Sequence, residues 1–346
     1  MSALHPEIVD DVRATPGGEA AVGALSRGSR WRVLEVVFWF ASLAAYFLLP
    51  THLPLLTEIA ILALFALSID LILGYAGIVT LGHAAFFGLG AYGAGLFAKH
   101  VYAEPVTGLL VAGLLAGIVG FATSFLVLRG SDLTRLMITL GLASMLFELA
   151  NRFSALTGGA DGLTGIAMLP VLGLFSFDLW GRTGYLYSLA VLFVLFLVAR
   201  RLVHSPFGLS LRAVKGNPLR SASLGISNGH RLVAIYTIGA VYAGIAGGVL
   251  AQTSQFVSLD VLAFHRSADG LLVLVIGGAG YLYGGLIGAG IFRILHDWLS
   301  GITPQYWQFW MGLALVLLVL VGRDRIVDGP RRLVNRIRHR VRGGRS

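Results

Sequence analysis

Ionisable groups inside apolar sequence are the first residues to question, because a charge in hydrocarbon is costly and is kept for a partner, a relay or an ion path. Glu58, Asp70 and Glu148 stand in such segments, as does His83. Glu58 and Asp70 fall near the ends of predicted helices and read as groups that reach the headgroups. Glu148 reads as a buried group, with Arg152 one turn later as its partner. His83 has no acid within a helical turn, so it reads as a hydrogen-bonded packing residue rather than a proton carrier. No His and Asp cluster has metal-ligand spacing, and no Ser, His and acid constellation gathers near one face. A G-x-x-x-x-G-K-[ST] phosphate loop is missing, and the chain has no cysteine for disulfides or thiolate sites. These residues offer no catalytic chemistry, metal or cofactor, and the chain reads as something other than an enzyme.

Glycine offers a different chemistry. The stretch "GYAGIVTLGHAAFFGLGAYGAG", Gly74 to Gly95, holds seven glycines in 22 residues without a formally charged side chain. A second stretch, "IGGAGYLYGGLIGAG", Ile276 to Gly290, repeats the pattern with seven more. Paired glycines can break a helix in mid-membrane. Corresponding breaks in two halves of a chain point to an internally duplicated transporter and its pathway. Close packing of small residues between helices is the alternative, and for most single glycines the better one.

The elements that must position these breaks follow from composition. Of 346 residues, 56% are hydrophobic and 12% charged, about half the charge of a soluble domain, so the chain reads as an integral membrane protein. Uncharged runs of the ~20 residues needed to cross a bilayer recur. They predict an all-α, polytopic transmembrane bundle of about 8–10 helices. Helices are expected at roughly 34–50, 55–73, 78–98, 106–128, 136–156, 183–203 and 232–253. Residues 1–30 lack a signal-peptide pattern and read as a cytoplasmic arm. The transmembrane domain covers 31–322, with a cytoplasmic loop at 204–231, and a basic tail covers 323–346.

With the N-terminus inside, the two tails and the loops 129–135 and 200–231 hold 21 of the 26 Lys and Arg residues, which places both termini in the cytoplasm. Seven crossings leave the chain outside near Ser254, so an odd number of crossings must follow. Residues 268–280 would reach only about 20 Å as a helix. Residues 268–299 therefore read as a broken hairpin of short helices, and Trp307 to Val321 returns the chain to the cytoplasm.

The cytoplasmic loop "RRLVHSPFGLSLRAVKGNPLRSASLGISNGHR" contains its own signals. Asn217 can cap a helix that has Pro218 at its first position, and Gly225 can end it. A short helix of about two turns is expected on the inner face, either as an interfacial anchor or as a dock for a soluble partner.

"RAVKGNPLRSASLGI" resembles the coupling-loop sequence of ABC importer permeases, with Ala222 and Gly225 matching its small residue and its glycine. "LILGYAGIVTLGHAAFFGLGAYGAG", "TGGADGLTG", "SPFGLSLRAVKGNPLRSASLGI", "AGIAGGVLAQ" and "LLVLVIGGAGYLYGGLIGAG" occur in the order seen in the LivM-type permease of branched-chain amino acid ABC transporters. The resemblance covers about residues 60–322. It departs at "HRSADGLL", where the family more often has an acidic residue near Arg266, and it assigns nothing to the tail.

Membership would imply a permease subunit in the bacterial inner membrane. Its partners would be a LivH-like permease homologue, two cytoplasmic ABC ATPase subunits and an extracytoplasmic solute-binding protein. Asn217, Pro218, Leu219, Arg220, Ala222, Leu224 and Gly225 would dock in an ATPase groove. Where a helix breaks, free N–H groups and the positive dipole end can receive a solute carboxylate while apolar neighbours meet an aliphatic part. Gly77, Thr80, Gly82, His83, Phe86, Gly277 and Gly278 are the pathway candidates. The outer loop with Gly158, Gly159, Asp161 and Gly162 reads as a plain connector, or as the part that closes the outer mouth or meets the binding protein. Branched-chain amino acids rank first as solute, with urea or amides as the alternative. A passive channel for a small neutral solute competes from another class, and the coupling-like loop argues against it. The Arg-rich tail fits anionic lipids as a basic amphipathic helix, and no nucleic acid is expected because topology already requires positive charge there.

Overall fold

The computed structural model describes residues 33–302 except 172, 174 and 179, together with 304–306, 309–313 and 316. The N-terminal arm, the basic tail and most of the last expected crossing lie outside the described residues. The chain divides into two compact units at Ala289/Gly290.

Helix α1 runs Val33–Leu48 and α2 runs Leu53–Ile69, continuing as a π-helical turn over Asp70–Tyr75. Then come α3 (Ala84–His100), α4 (Pro105–Val127), α5 (Asp132–Arg152) and α6 (Arg182–Val203). The cytoplasmic-loop segment folds as α7 (Pro206–Gly216) and α8 (Pro218–Ser223). Next are α9 (Asn228–Ser254), α10 (Phe264–Gly277) and α11 (Leu282–Ile302). Among the described residues there are isolated β-bridges but no strands. Five helices, Pro50–Tyr75, Pro105–Val127, Asp132–Arg152, Arg182–Val203 and Asn228–Ser254, are long and apolar enough to cross a membrane. The bent pair α10 and α11 makes a sixth if counted as one span. The all-α polytopic bundle expected from the sequence is what forms.

Small residues set the packing. Without a strong hydrophobic drive between helices in lipid, close backbone approach and van der Waals contact hold a bundle together. Helix α9 lies against α3 and α4 at such contacts: Gly90 meets the backbone of Gly244, and a Cβ on Gly247 would strike the Phe87 carbonyl. Gly120 faces Ala240, and Gly244 faces Ala112 and Ala116. Helix α2 is buried along most of its length, with Leu64, Phe65, Ala66, Leu67 and Ile69 at 1% exposure or less. Gly270 of α10 fits between Phe65 and Ile69, and Gly239 of α9 fits against Ile72. Gly88, Gly90, Gly93 and Gly95 within α3 all sit at close contacts with Leu262, Gly244, Leu115 and Leu163 respectively.

Several buried polar groups in the bundle find partners on neighbouring helices, which offsets the absence of water. Gln252, fully buried in α9, donates from Nε2 to the Pro105 carbonyl at 2.7 Å and accepts from the Tyr187 hydroxyl at 2.6 Å. At the loop end, Glu35 of α1 pairs with Arg200 of α6. Trp39 packs edge-on against Phe193, with centroids 4.8 Å apart.

Candidate functional site

The first glycine-rich stretch is a true break. Helix α2 widens into its π turn, Gly77 takes φ +74°, and α3 begins only at Ala84. The helix expected from Ile78 therefore starts six residues late. The freed amides explain why the irregular segment is stable: Leu81 N–H donates to Thr139 Oγ1 (3.3 Å), Gly82 N–H to Thr80 Oγ1 (3.3 Å) and Ala84 N–H to Ser267 Oγ (2.8 Å). Two of those hydroxyls come from other helices, α5 and α10. Gly82 also abuts the Thr139 backbone so closely that a Cβ would collide with its carbonyl.

The pathway candidates on this segment are packed inside the chain. Thr80 is 1% exposed, and His83 and Phe86 are fully buried. His83 Nε2 lies 2.9 Å from Ser68 Oγ, its ring stacks on Phe65 and Phe86 meets it edge-on. That environment suits a neutral, hydrogen-bonded packing imidazole.

The second stretch breaks at its own glycines. Helix α10 ends at Gly277, Gly278 and Gly280 take φ +95° and +84°, and α11 departs at 111°. Helix α10 has 14 residues and α11 has 21, and they are long and apolar enough for a span only when taken together as a bent pair, a broken span or a re-entrant loop. Gly277, Gly284 and Gly288 let the two arms touch backbone to backbone, since a Cβ on any of them would enter a facing carbonyl or amide.

These two breaks meet. Asp70 Oδ1 accepts from the Gly280 amide at 2.6 Å, and a Cβ on Gly74 would lie 2.6 Å from that same nitrogen. From the other side, Lys215 Nζ of α7 donates to the Gly74 carbonyl at 2.7 Å, and its aliphatic stem lies over Gly77. The Arg212 guanidinium carbon is 5.3 Å from the centre of the Tyr75 ring. The reading of Asp70 as a group reaching the headgroups is wrong: it is fully buried and bonded to the opposite break. Lys215 and the whole of α7 also escaped the sequence reading.

The loop helix forms as its capping residues imply. Asn217 accepts from the Arg220 amide at 3.0 Å, Pro218 opens α8, and Gly225 follows it with φ +81°. Leu219 and Leu224 are 83% and 72% exposed, and Ala222 and Gly225 are exposed beside them. Asn228 fastens the return by donating to the Pro218 carbonyl and accepting from Ser221 Oγ.

At the far end of the bundle, Gly158, Gly159 and Gly162 all adopt positive φ around a 3-10 turn that contains Asp161. The loop is tied to the segment after α9. Leu163 and Val257 exchange both backbone bonds, at 2.7 and 3.2 Å, and Gly162 leaves room for the Phe256 ring. Glu104, at the same end, accepts from the Thr107 amide at 2.7 Å and caps α4. Burial would raise its pKa, but the Thr107 amide and hydroxyl and the Val106 amide outweigh it, so the carboxyl sits below its ordinary value. A cavity of about 340 Å³ opens between α2, α6 and α9, touching Thr57, Glu58, Gly184 and Thr253, away from both breaks.

The expectation for Glu148 is also corrected. Glu148 and Arg152 are both exposed on this chain, and no ion pair joins them among the described residues. Helix α5 turns only Thr139, Ala143 and Ala150 fully inward, which leaves the acid on the outer face.

Comparison with known proteins adds a family. The model for "Branched-chain amino acid transport system / permease component" matches residues 52–322. The high-affinity branched-chain amino acid transport system permease protein LivM of Escherichia coli (strain K12) is 27% identical over 279 residues, 74% of this chain and 65% of that protein. LivM of Salmonella typhimurium (strain LT2) is 28% identical over 286 residues, 76% of this chain and 67% of that protein. The galactose/methyl galactoside import permease protein MglC of Escherichia coli (strain K12) is 25% identical over 302 residues, 78% of this chain and 87% of that protein. The chain thus spans about two thirds of the length of these LivM relatives. No solved structure matches it.

Proposed function

The chain belongs to the family of branched-chain amino acid transport system permease components, and from that premise we propose that it is the membrane subunit of an ATP-driven importer of branched-chain or related neutral amino acids. Its apolar helices and its family make it a multi-pass membrane protein. The single observation that carries the ATP-driven reading is α8. A two-turn helix that presents Leu219 and Leu224 to solvent, stiffened by its Asn217 cap, suits a groove on a soluble partner better than open water. That partner is a cytoplasmic ATPase, two copies of which serve this chain and a LivH-like permease. An extracytoplasmic binding protein delivers the solute to the opposite end, where the loop of Gly158, Gly159, Asp161 and Gly162 is tied to Val257. Both termini lie in the cytoplasm, and the basic tail rests on anionic lipid of the bacterial inner membrane.

In this reading the solute passes by the two breaks. Gly77, Thr80, Gly82, His83 and Phe86 on one, with Gly277 and Gly278 on the other, become accessible only as the breaks move, because at rest their neighbours fill them. An uncharged apolar route fits a zwitterion with an aliphatic side chain. The match to MglC, named for a sugar, argues that solute choice rests largely with the binding protein.

Ala222→Asp provides the test. Ala222 is exposed in α8, so an aspartate there folds freely but places an unpaired carboxylate at the dock, where desolvation costs several kcal/mol. Uptake of radiolabelled leucine should be abolished while the chain stays in the membrane. Gly225→Asp should do the same with added backbone strain at φ +81°. Wild-type uptake in both variants would refute docking through α8.

A further inference from the structure

The contacts around Gly74 form a chain that runs from the docking loop into both breaks. Lys215 stands two residues before Asn217, the cap of α8, so any movement of α8 is felt at the end of α7. Its ammonium takes the Gly74 carbonyl at 2.7 Å, within the last turn of α2, where a helix leaves carbonyls unpaired and its dipole favours a cation. The same turn is π-helical, a widened geometry that occurs often at functional sites. One turn back, Asp70 projects from α2 and holds the Gly280 amide at 2.6 Å.

Glycine at 74 is what permits this. A Cβ there would overlap Asp70 Oδ1 and crowd the Gly280 nitrogen. Asp70 is fully buried, and its Oδ2 has no hydrogen-bond partner among the described residues, so the carboxylate is committed to Gly280 through a single oxygen. Gly280 itself sits at φ +84° between α10 and α11, the position about which those helices bend.

We propose that Asp70 and Lys215 are positioning residues that make the two breaks one mechanical unit: Lys215 ties the unit to the docking loop, and Asp70 pins the second break to the first. The proposal rests on the importer reading for what moves the loop, but the pin itself does not depend on it. When a partner displaces α8, Lys215 draws the end of α2, and Asp70 carries Gly280 with it. Without the pin, α8 would still dock and nucleotide would still be hydrolysed, but the second break would no longer follow.

Two measurements test this. The first is amide hydrogen exchange on the full chain in detergent, read on peptides covering 276–282. Asp70→Ala should raise exchange there by roughly tenfold or more, because a hydrogen bond to a charged group is lost, while Asp70→Asn, which keeps the acceptor, should stay close to wild type. Unchanged exchange in Asp70→Ala would overturn the pin. The second is the ratio of leucine taken up to ATP hydrolysed in proteoliposomes of the whole transporter. Lys215→Gln, a substitution of an exposed side chain, should lower that ratio severalfold with hydrolysis preserved, and Lys215→Arg should recover it. A wild-type ratio in Lys215→Gln would overturn the tie to the loop. Exchange needs no ATPase, so it decides the pin even where Ala222→Asp refutes docking.

Discussion

The two glycine-rich stretches look alike in sequence and are held in different ways. The first break, residues 77–83, is fastened from several sides: Thr139 and Ser267 from two other helices take its amides, Thr80 takes a third, and Ser68 holds His83. The second, residues 278–281, is held by the Asp70 carboxylate on the Gly280 amide, by Tyr75 at the Leu282 backbone and by close backbone contacts through Gly277, Gly284 and Gly288. Hydroxyls from other helices make a frame for the first break, whereas the second rests on close glycine backbone contacts, Tyr75 and one carboxylate. Repetition of a glycine pattern therefore shows where helices end, while the donors and acceptors around each end decide how it is held.

Substitutions can sharpen that contrast. Gly74→Val should have the largest effect, since its side chain enters the Asp70 carboxylate and the Gly280 amide together and disturbs both breaks. A loss of about 3 kcal/mol is expected, read as a lowered melting temperature of the detergent-purified chain. Ser267→Ala removes one anchor of the first break and leaves the Ala84 amide buried without its acceptor. It should cost about 1–3 kcal/mol in the same assay. A larger loss from Ser267→Ala than from Gly74→Val would reverse the ranking of frame and contact.

Thiol labelling separates the breaks by access. A cysteine at exposed Ala279 should react readily with a small polar reagent, and one at Thr80 should react only when solute or ATP shifts the breaks. Ala279 serves better than Gly278, whose φ of +95° strains any side chain. No change in the Thr80 rate under either condition would leave packing as its whole role. Gly290, by contrast, has open space around its Cα, and Gly290→Ala in mid-helix should change stability by no more than about 1 kcal/mol, in the favourable direction.

The smallest effect concerns Glu104, whose bond to the Thr107 amide caps α4. A carboxyl with a lowered folded-state pKa contributes its full stability above the ordinary value, and that contribution fades as pH falls through the lowered one. Glu104→Gln should therefore lower the melting temperature slightly at neutral pH, with the difference closing in acid below about pH 4. A constant difference across that range would assign the effect to something other than the charge.

Much of this arrangement could be read in the sequence because its signals are local. Apolar runs of bilayer length placed five of the seven expected spans, those at 34–50 and 78–98 forming shorter helices of 16 and 17 residues, and Asn217, Pro218 and Gly225 delimited α8 because capping is decided by neighbouring residues. The breaks were legible as glycine pairs, but their partners were not: Thr139, Ser267 and Lys215 lie far along the chain, and nothing near Leu81, Ala84 or Gly74 names them. Asp70 was misjudged for the same reason. Position in a helix suggested the headgroups, and only the tertiary fold brings Gly280 to within a hydrogen bond of it. Glu148 failed in the opposite direction, since the orientation of α5 that exposes it is set by Thr139, Ala143 and Ala150 on the facing side.

The central claim, a permease driven by a separate ATPase through α8, is tested most directly by purification of the full chain from its own membrane. The preparation should contain a subunit with a G-x-x-x-x-G-K-[ST] loop, identified by mass spectrometry, and should hydrolyse ATP; Ala222→Asp should lose both. Solute flux through vesicles that contain this chain without any such subunit, unchanged by ATP, would contradict the account and establish a passive channel instead.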